Sequence, residues 1–216
     1  MKTKITFKVF ILVVLLAGLL IPFKPARAAE SVVLPKFSDF VTLVMNGQAD
    51  VVRGVFVSGV MADRVVAQSA GNPGYVSRSN GTVTQFSMAV RYQVIGLLAH
   101  NDLAGISFPN LVVGQEIRII YGDGRVAIYM VNQAVRLQAL QPLSENSDFL
   151  DLSTDNIYSA GAVFKMFYQG GDHVTFQTCI LQDGNPSWGR LFVTAVPASF
   201  VYNYATRTMV LHEKNK

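Results

Sequence analysis

The sequence predicts a mainly β fold, a barrel or a sandwich, in one domain. Half of the 216 residues are hydrophobic and only 15% are charged. Valine, phenylalanine and tyrosine are plentiful, and turn signals interrupt the short apolar runs at close intervals, which is typical of all-β domains. No Gly/Ser linker, charge run or internal repeat divides the chain. We therefore expect a single core built from short strands.

The first strands alternate with turn signals. Val51 to Val60 is valine-rich with partial alternation, which favours a strand. Residues 69–82 contain several glycines and serines and a proline, which predicts an exposed loop. Tyr92 to Leu98 is a short apolar run that ends where Ala99-His100-Asn101-Asp102 begins a turn.

A hairpin follows in the middle of the chain. Glu116 to Tyr121 and Arg125 to Val131 flank Gly122-Asp123-Gly124, a hairpin signature, and the second arm continues towards Leu140. Further strands are expected at 173–180, 190–196 and 206–211.

One segment shows a helical period instead. Ile157, Gly161, Phe164 and Tyr168 recur at i, i+4, i+7 and i+11. We expect a short helix that is entered through Ser153-Thr154-Asp155 and ends at Gly170-Gly171.

The first 28 residues have the features of a secretory signal peptide. Three lysines in residues 1–8 precede an apolar stretch from Val9 to Ile21, and Ala26-Arg27-Ala28 supplies small residues for cleavage. A membrane-spanning helix needs about 20 apolar residues. We therefore expect cleavage after Ala28 or Ala29, with an uncleaved membrane anchor as the alternative. The protein is then exported, to the cell envelope or the extracellular space, without a stable membrane span.

Removal of this leader changes the charge of the chain. The leader holds five of the 18 basic residues and no acidic residue, so 13 basic and 14 acidic residues remain. A nucleic-acid-binding protein needs a charge excess that survives maturation, so we exclude nucleic acid as a partner. We assign residues 29–49 to an N-terminal extension and residues 50–212 to one β domain, and we expect a monomer.

Cys179 is the only cysteine, so it cannot form an internal disulfide. In a strand, alternate side chains share a face, which places Val174, Phe176 and Ile180 on an apolar face and Thr175, Gln177 and Cys179 on a polar one. A cysteine kept for packing would more often lie on the apolar face. Cys179 is therefore either a reactive thiol or a half-buried inert one.

A reactive thiol needs a base or a cation nearby, because free cysteine has a pKa of about 8.5. His100 ends an apolar strand and is either such a base or a structural turn histidine. His173 lies on the same strand face as Cys179 but about 20 Å away, and His212 is close to the chain end. Arg190 is either an oxyanion-stabilising group or a solvent-exposed arginine.

Other catalytic templates are missing from the sequence. It contains no G-x-S-x-G, C-x-x-C or H-E-x-x-H motif, which argues against a serine hydrolase elbow and a zinc site. We expect no metal and no cofactor.

Three separated pieces of the chain resemble sortases, the exported cysteine transpeptidases of bacterial cell surfaces. Thr175-Phe176-Gln177-Thr178-Cys179 resembles their T-L-x-T-C strand, with Phe176 in place of leucine. Gly96-Leu97-Leu98-Ala99-His100 matches their histidine at a strand end, and Gly189-Arg190-Leu191-Phe192-Val193 matches their arginine at the start of the next strand. Phe108 to Ile117 is similar to their F-x-x-L-x-x-G-D/Q-x-I segment. The resemblance covers about residues 50–200.

The resemblance implies a closed β-barrel of about eight strands with one or two short helices. It implies that Cys179 is the nucleophile, that His100 is the general acid and later the base, and that Arg190 stabilises the oxyanion; Thr178 would contact substrate. The expected partners are a peptide or surface-protein substrate and an amine acceptor. Calcium dependence occurs in this family, but no acidic cluster in this sequence demands it.

The cleavable leader departs from the family, most of whose members stay tethered to the membrane by an N-terminal helix. Two alternatives to the transpeptidase therefore remain. One is a secreted cysteine peptidase of the same fold that uses water as the acceptor. The other is a catalytically silent protein of this fold that binds a peptide or an envelope component.

Overall fold

The computed structural model describes residues 33–69, 71–203 and 208–211, with side chains up to residue 198. The predicted signal peptide and His212 lie outside the described residues. None of the helices within them has the length and apolar character that crossing a membrane requires.

The described residues form eleven strands, three α-helices and one 3₁₀ helix. The strands are β1 (Val52–Val57), β2 (Met61–Ala67), β3 (Thr82–Gln85), β4 (Val94–Leu98), β5 (Glu116–Tyr121), β6 (Arg125–Ala139), β7 (Phe149–Asp151), β8 (Ile157–Tyr158), β9 (His173–Gln182), β10 (Asn185–Asn203) and β11 (Thr208–Leu211). The helices are α1 (Phe37–Val44), α2 (Ser87–Val90) and α3 (Ala160–Tyr168), and the 3₁₀ helix spans Ala104–Asn110.

Eight of these strands close into a barrel. The sheet order is β11-β10-β9-β4-β3-β2-β1-β5-β6-β7-β8, and an additional pairing of β10 with β6 completes the ring. The pairs β2–β3 and β4–β9 are parallel, and the other pairs are antiparallel. The prediction of a mainly β fold with an eight-stranded closed barrel is confirmed.

The barrel lumen is filled by alternate side chains of its strands. Leu97, Val174, Phe176, Val193 and Ile119 are almost completely buried there. The ring of Phe108, from the 3₁₀ helix, meets Phe176 edge-on with centroids 5.2 Å apart. The 3₁₀ helix thus supplies part of the barrel core, beside the end of β4.

Helix α3 covers the outer face of β9 and β10. Phe167 stacks on Phe192 with ring centroids 4.0 Å apart and an interplanar angle of 2°. The Thr175 hydroxyl donates to the Phe167 carbonyl at 2.6 Å, and the Tyr168 hydroxyl donates to Gln177. Cys179 therefore lies at one end of the outer face of β9, and α3 covers that face further along the strand.

The predicted helix exists, but its predicted start is wrong. Ser159 is the N-cap, and its hydroxyl accepts from the amide of Ala162. The Asp151 carboxylate instead accepts from the amide and the hydroxyl of Ser153. This turn, followed by the short strand β8, occupies the segment where the sequence predicts the first helical turn.

Helix α1 lies in the segment assigned to the N-terminal extension. Phe40, Val41 and Val44 are buried against Phe56 of β1 and Ile120 of β5. The helix therefore buries one apolar stripe on the outside of the sheet.

Asp63 on β2 is 8% exposed, and burial raises its pKa to about 6. The folded protein therefore binds a proton on the Asp63 carboxyl more tightly than the unfolded chain does. Protonation of this carboxyl stabilises the fold below pH ~4, and the stabilisation is lost as the pH rises through 6. We expect Asp63→Asn to increase the free energy of unfolding by about 3 kcal/mol at pH 7.5 and by almost nothing at pH 4. Urea denaturation at both pH values measures this. The exposed Glu145→Gln should show no such difference, and an Asp63→Asn gain that is equal at both pH values would contradict the prediction.

Candidate active site

The parallel pairing of β4 with β9 brings His100 beside Cys179. Leu98 is in register with Gln177, and the amide of Ala99 donates to the Gln177 carbonyl at 3.2 Å, which extends the pairing. Continued by two residues past the end of β4 at Leu98, this register aligns His100 with Cys179. Adjacent strands are about 4.8 Å apart, so the imidazole and the thiol start from neighbouring backbone positions.

The turn after His100 is tied to the strand that carries the thiol. The buried Thr178 hydroxyl donates to the Ala99 carbonyl at 2.9 Å. The amide of Gly105 donates to the His100 carbonyl at 3.0 Å. The Asn101 side-chain amide donates to the Pro186 carbonyl at 3.1 Å, which joins the turn to the β9–β10 hairpin. The predicted substrate contact Thr178 thus uses its hydroxyl to position the segment before His100.

Arg190 lies on the other side of Cys179. These two residues are direct cross-strand neighbours in the antiparallel β9–β10 pair, an arrangement that separates Cβ atoms by about 5 Å. One guanidinium nitrogen, Nη1, donates to the carbonyls of Ser187 and Gly189 at 3.0 and 2.9 Å. The three sequence-predicted residues therefore come from three adjacent strands or strand ends, with Cys179 in the middle.

A cavity of about 610 Å³ opens at this end of the barrel. His100, Thr178 and Cys179 line it, together with charged residues and an apolar wall. The charged residues are Arg78, Asp102 and Arg136, and the apolar wall includes Ile106, Ile180 and Leu191. Arg190 is not among the described residues that line the cavity.

Two chemically active groups in this cavity are left without a partner. Cys179 and His100 are half-buried. Among the described residues, neither the thiol nor the imidazole forms a hydrogen bond or an ion pair. Asp102, two residues after His100, is 3.9 Å from Arg78 rather than bound to the imidazole. The thiol and the imidazole are therefore available to a ligand, for nucleophilic attack and for proton transfer.

His173 has a structural position at the other end of β9. Its Nδ1 is 2.8 Å from the Gly171 carbonyl and its Nε2 is 3.0 Å from the Phe167 carbonyl. Both ring nitrogens thus face backbone oxygens where α3 meets β9, six residues along the strand from Cys179.

Arg136 is not among the site residues predicted from the sequence. The face on which its side chain lies depends on a β-bulge in β6. Val131 pairs with Ala195 and Gln133 pairs with Thr194, so Asn132 is an extra residue in β6. A bulge reverses the alternation beyond it. Arg136 therefore shares the lumen-side face with Leu191, its cross-strand neighbour, at the mouth of the barrel.

No metal site is apparent in the described part of the chain. No group of three or more His, Cys, Asp or Glu side chains lies close enough there to hold an ion.

Comparisons with known proteins find similarity only among solved structures. No protein-family model matches the chain, and no curated protein matches its sequence. Sortase SrtA from Actinomyces oris matches with a TM-score of 0.47 and 12% identity, covering 75% of this chain and 87% of that one. Sortase C-1 from the same organism matches with a TM-score of 0.47 and 12% identity, covering 77% and 82%.

A third structure is sortase E1 from Streptomyces coelicolor with a tripeptide in its active site. It matches with a TM-score of 0.44 and 15% identity, covering 71% of this chain and 90% of that one. Similarity at this level identifies neither the reaction of this chain nor the residues that perform it.

Proposed function

We propose that this protein is a sortase-like cysteine transpeptidase that acts on peptides outside the cytoplasm. One observation carries the proposal: the unpaired thiol of Cys179 and the unpaired imidazole of His100 line one cavity, although the two residues are far apart in the chain. The sequence resemblance of the segments around Cys179, His100 and Arg190 points in the same direction.

In this reaction the thiolate of Cys179 attacks the carbonyl carbon of a peptide bond. A carbon–sulfur bond forms, the carbon–nitrogen bond breaks, and His100 gives a proton to the leaving amine. The resulting thioester is then attacked by an incoming amine, whose proton His100 accepts. A new peptide bond forms as the carbon–sulfur bond breaks, and the Cys179 thiolate is released, so His100 acts first as an acid and then as a base.

Arg190 is the group that we assign to the oxyanion. A guanidinium has five donors in a fixed plane. The bonds from Nη1 to Ser187 and Gly189 hold that plane against the hairpin backbone, which leaves the remaining donors for the oxygen that becomes negative during attack. Preorganised donors of this kind stabilise the transition state without reorganisation.

The secreted peptidase would use the same residues with water in place of the amine. Analysis of the products by mass spectrometry, with and without an added amine such as triglycine, separates the two reactions. A ligated product supports the transpeptidase, and a product that is only cleaved supports the peptidase.

The test of an activated thiol is its rate of alkylation by iodoacetamide in the native protein. We expect Cys179 to react faster than free cysteine between pH 6 and 7, because the proposed reaction requires a nucleophile that attacks a peptide bond near neutral pH. The rate is measured by intact-protein mass spectrometry, with the urea-unfolded chain as the control, since it contains the same single cysteine. Native labelling slower than that of the unfolded chain across this pH range would favour the catalytically silent binding protein.

A further inference from the structure

Arg136 is a second cation at the mouth of the barrel, and the reaction just described does not use it. It lines the cavity that also contains Cys179 and His100. It is exposed, and among the described residues its guanidinium forms no hydrogen bond or ion pair. The other guanidinium of the rim, Arg78, has the carboxylate of Asp102 as its partner.

The charge around the cavity is therefore unbalanced. The Arg78–Asp102 pair is neutral as a whole, and Arg190 does not line the cavity. Arg136 adds one positive charge to a wall that is otherwise built from Ile106, Ile180 and Leu191. Arginine binds a carboxylate through two parallel hydrogen bonds, which gives orientation as well as affinity.

The bulge at Asn132 puts Arg136 on the lumen-side face of β6, in line with Leu191 of β10 and Thr178 of β9, which also line the cavity. The side-chain oxygen of Asn132 accepts from the Thr194 hydroxyl at 2.9 Å, which holds the extra residue against β10. Without the extra residue, Arg136 would lie on the outer face, where Val135 and Leu137 are buried beside α3. Bulges next to functional sites commonly redirect a side chain in this way.

We propose that Arg136 forms an anion subsite, so that the substrates of Cys179 carry a carboxylate close to the carbonyl that is attacked. This inference rests on the proposed function and adds a substrate class to it: acidic peptides, bound through one carboxylate by the guanidinium of Arg136. Arg136 is a specificity-determining residue in this reaction, while bond cleavage stays with Cys179 and His100.

The test compares two alkylating reagents of nearly the same size, iodoacetate, which is an anion, and iodoacetamide, which is neutral. Each forms one carbon–sulfur bond with the Cys179 thiolate and releases iodide. Because the same thiolate attacks both reagents, the ratio of the two rates does not depend on the fraction of Cys179 that is ionised. We expect Arg136→Gln to lower the iodoacetate-to-iodoacetamide ratio about fivefold at low salt, and Arg136→Lys to restore only the part that the positive charge contributes. The loss should shrink in 1 M NaCl, where screening is strong.

Arg91→Gln is the matched control, since it removes an exposed arginine that does not line this cavity. Circular dichroism and thermal unfolding verify that each variant is folded. A ratio that is the same in wild type and in folded Arg136→Gln overturns the anion subsite, even if Cys179 is reactive. A Cys179 that reacts with neither reagent overturns both the subsite and the proposed enzyme, because the cavity would then be closed to ligands.

Discussion

Cys179→Ala is expected to abolish turnover and covalent acylation while the barrel stays folded. Removing the nucleophile of a serine protease lowers kcat by about 10⁶-fold, and a loss on that scale is expected here because no other cysteine exists in the chain. The protein is incubated with a peptide mixture that includes acidic sequences, and intact-mass spectrometry detects an acyl adduct that hydroxylamine removes. Wild type should carry this adduct, and Cys179→Ala should not.

Cys179→Ser is the matched variant for this experiment. The hydroxyl is close to the thiol in size but stays protonated near neutral pH, so loss of the adduct in both variants assigns the reaction to the thiolate. Unfolding free energies within about 1 kcal/mol of wild type would show that the loss is chemical, as expected for a half-buried side chain. Turnover through a hydroxylamine-sensitive adduct in Cys179→Ala would contradict the proposed function.

Gly105→Ala is expected to damage the turn that follows His100. A Cβ at Gly105 would lie 2.3 Å from the Thr178 hydroxyl oxygen, 2.6 Å from the His100 carbonyl oxygen and 3.0 Å from the Ala99 carbonyl oxygen. Two of these atoms are backbone, so the turn after β4 must move. We expect a loss of about 3 kcal/mol in unfolding free energy and about a 10²-fold drop in the alkylation rate of Cys179 relative to wild type, since misplacement by about 1 Å has that effect on positioned groups.

Gly161→Ala is the control for the added methyl group. Gly161 lies inside α3, and a Cβ added there would have no neighbouring atom within 4 Å. Alanine in a helix interior should raise stability by about 0.5–1 kcal/mol without changing the reactivity of Cys179. A Gly105→Ala protein with wild-type stability and wild-type alkylation would show that the turn does not pack against Thr178 as described.

The strands were predictable because their signals are local. Glu116–Tyr121 and the start of β6 at Arg125 follow from two apolar arms on either side of Gly122-Asp123-Gly124. The alternation around Cys179 is also present in the structure: Val174, Phe176 and Ile180 are buried in the barrel core, and Cys179 is half-buried on the other face. The pairing of the strands could not be predicted from local signals, because only tertiary structure determines that β4 lies parallel to β9.

The missed features depend on one residue or on distant contacts. The extra residue Asn132 leaves no composition signal, yet it reverses the faces of β6 and so decides where Arg136 points. The start of α3 was misplaced because Ser153 and Ser159 are both plausible caps, and only the carboxylate of Asp151 removes the first from the helix. Helix α1 lies in the segment that was predicted to be an N-terminal extension, and its contacts with Phe56 show that it belongs to the folded domain.

The bond between Thr178 and Ala99 joins residues 79 positions apart. Closing a connection of this length costs more conformational entropy than closing a hairpin, and proteins dominated by such distant pairings fold slowly, in milliseconds to seconds. The hairpin of β5 and β6 needs no such closure. We therefore expect the positions of Ala99, His100 and Cys179 to become fixed later in folding than the hairpin of β5 and β6.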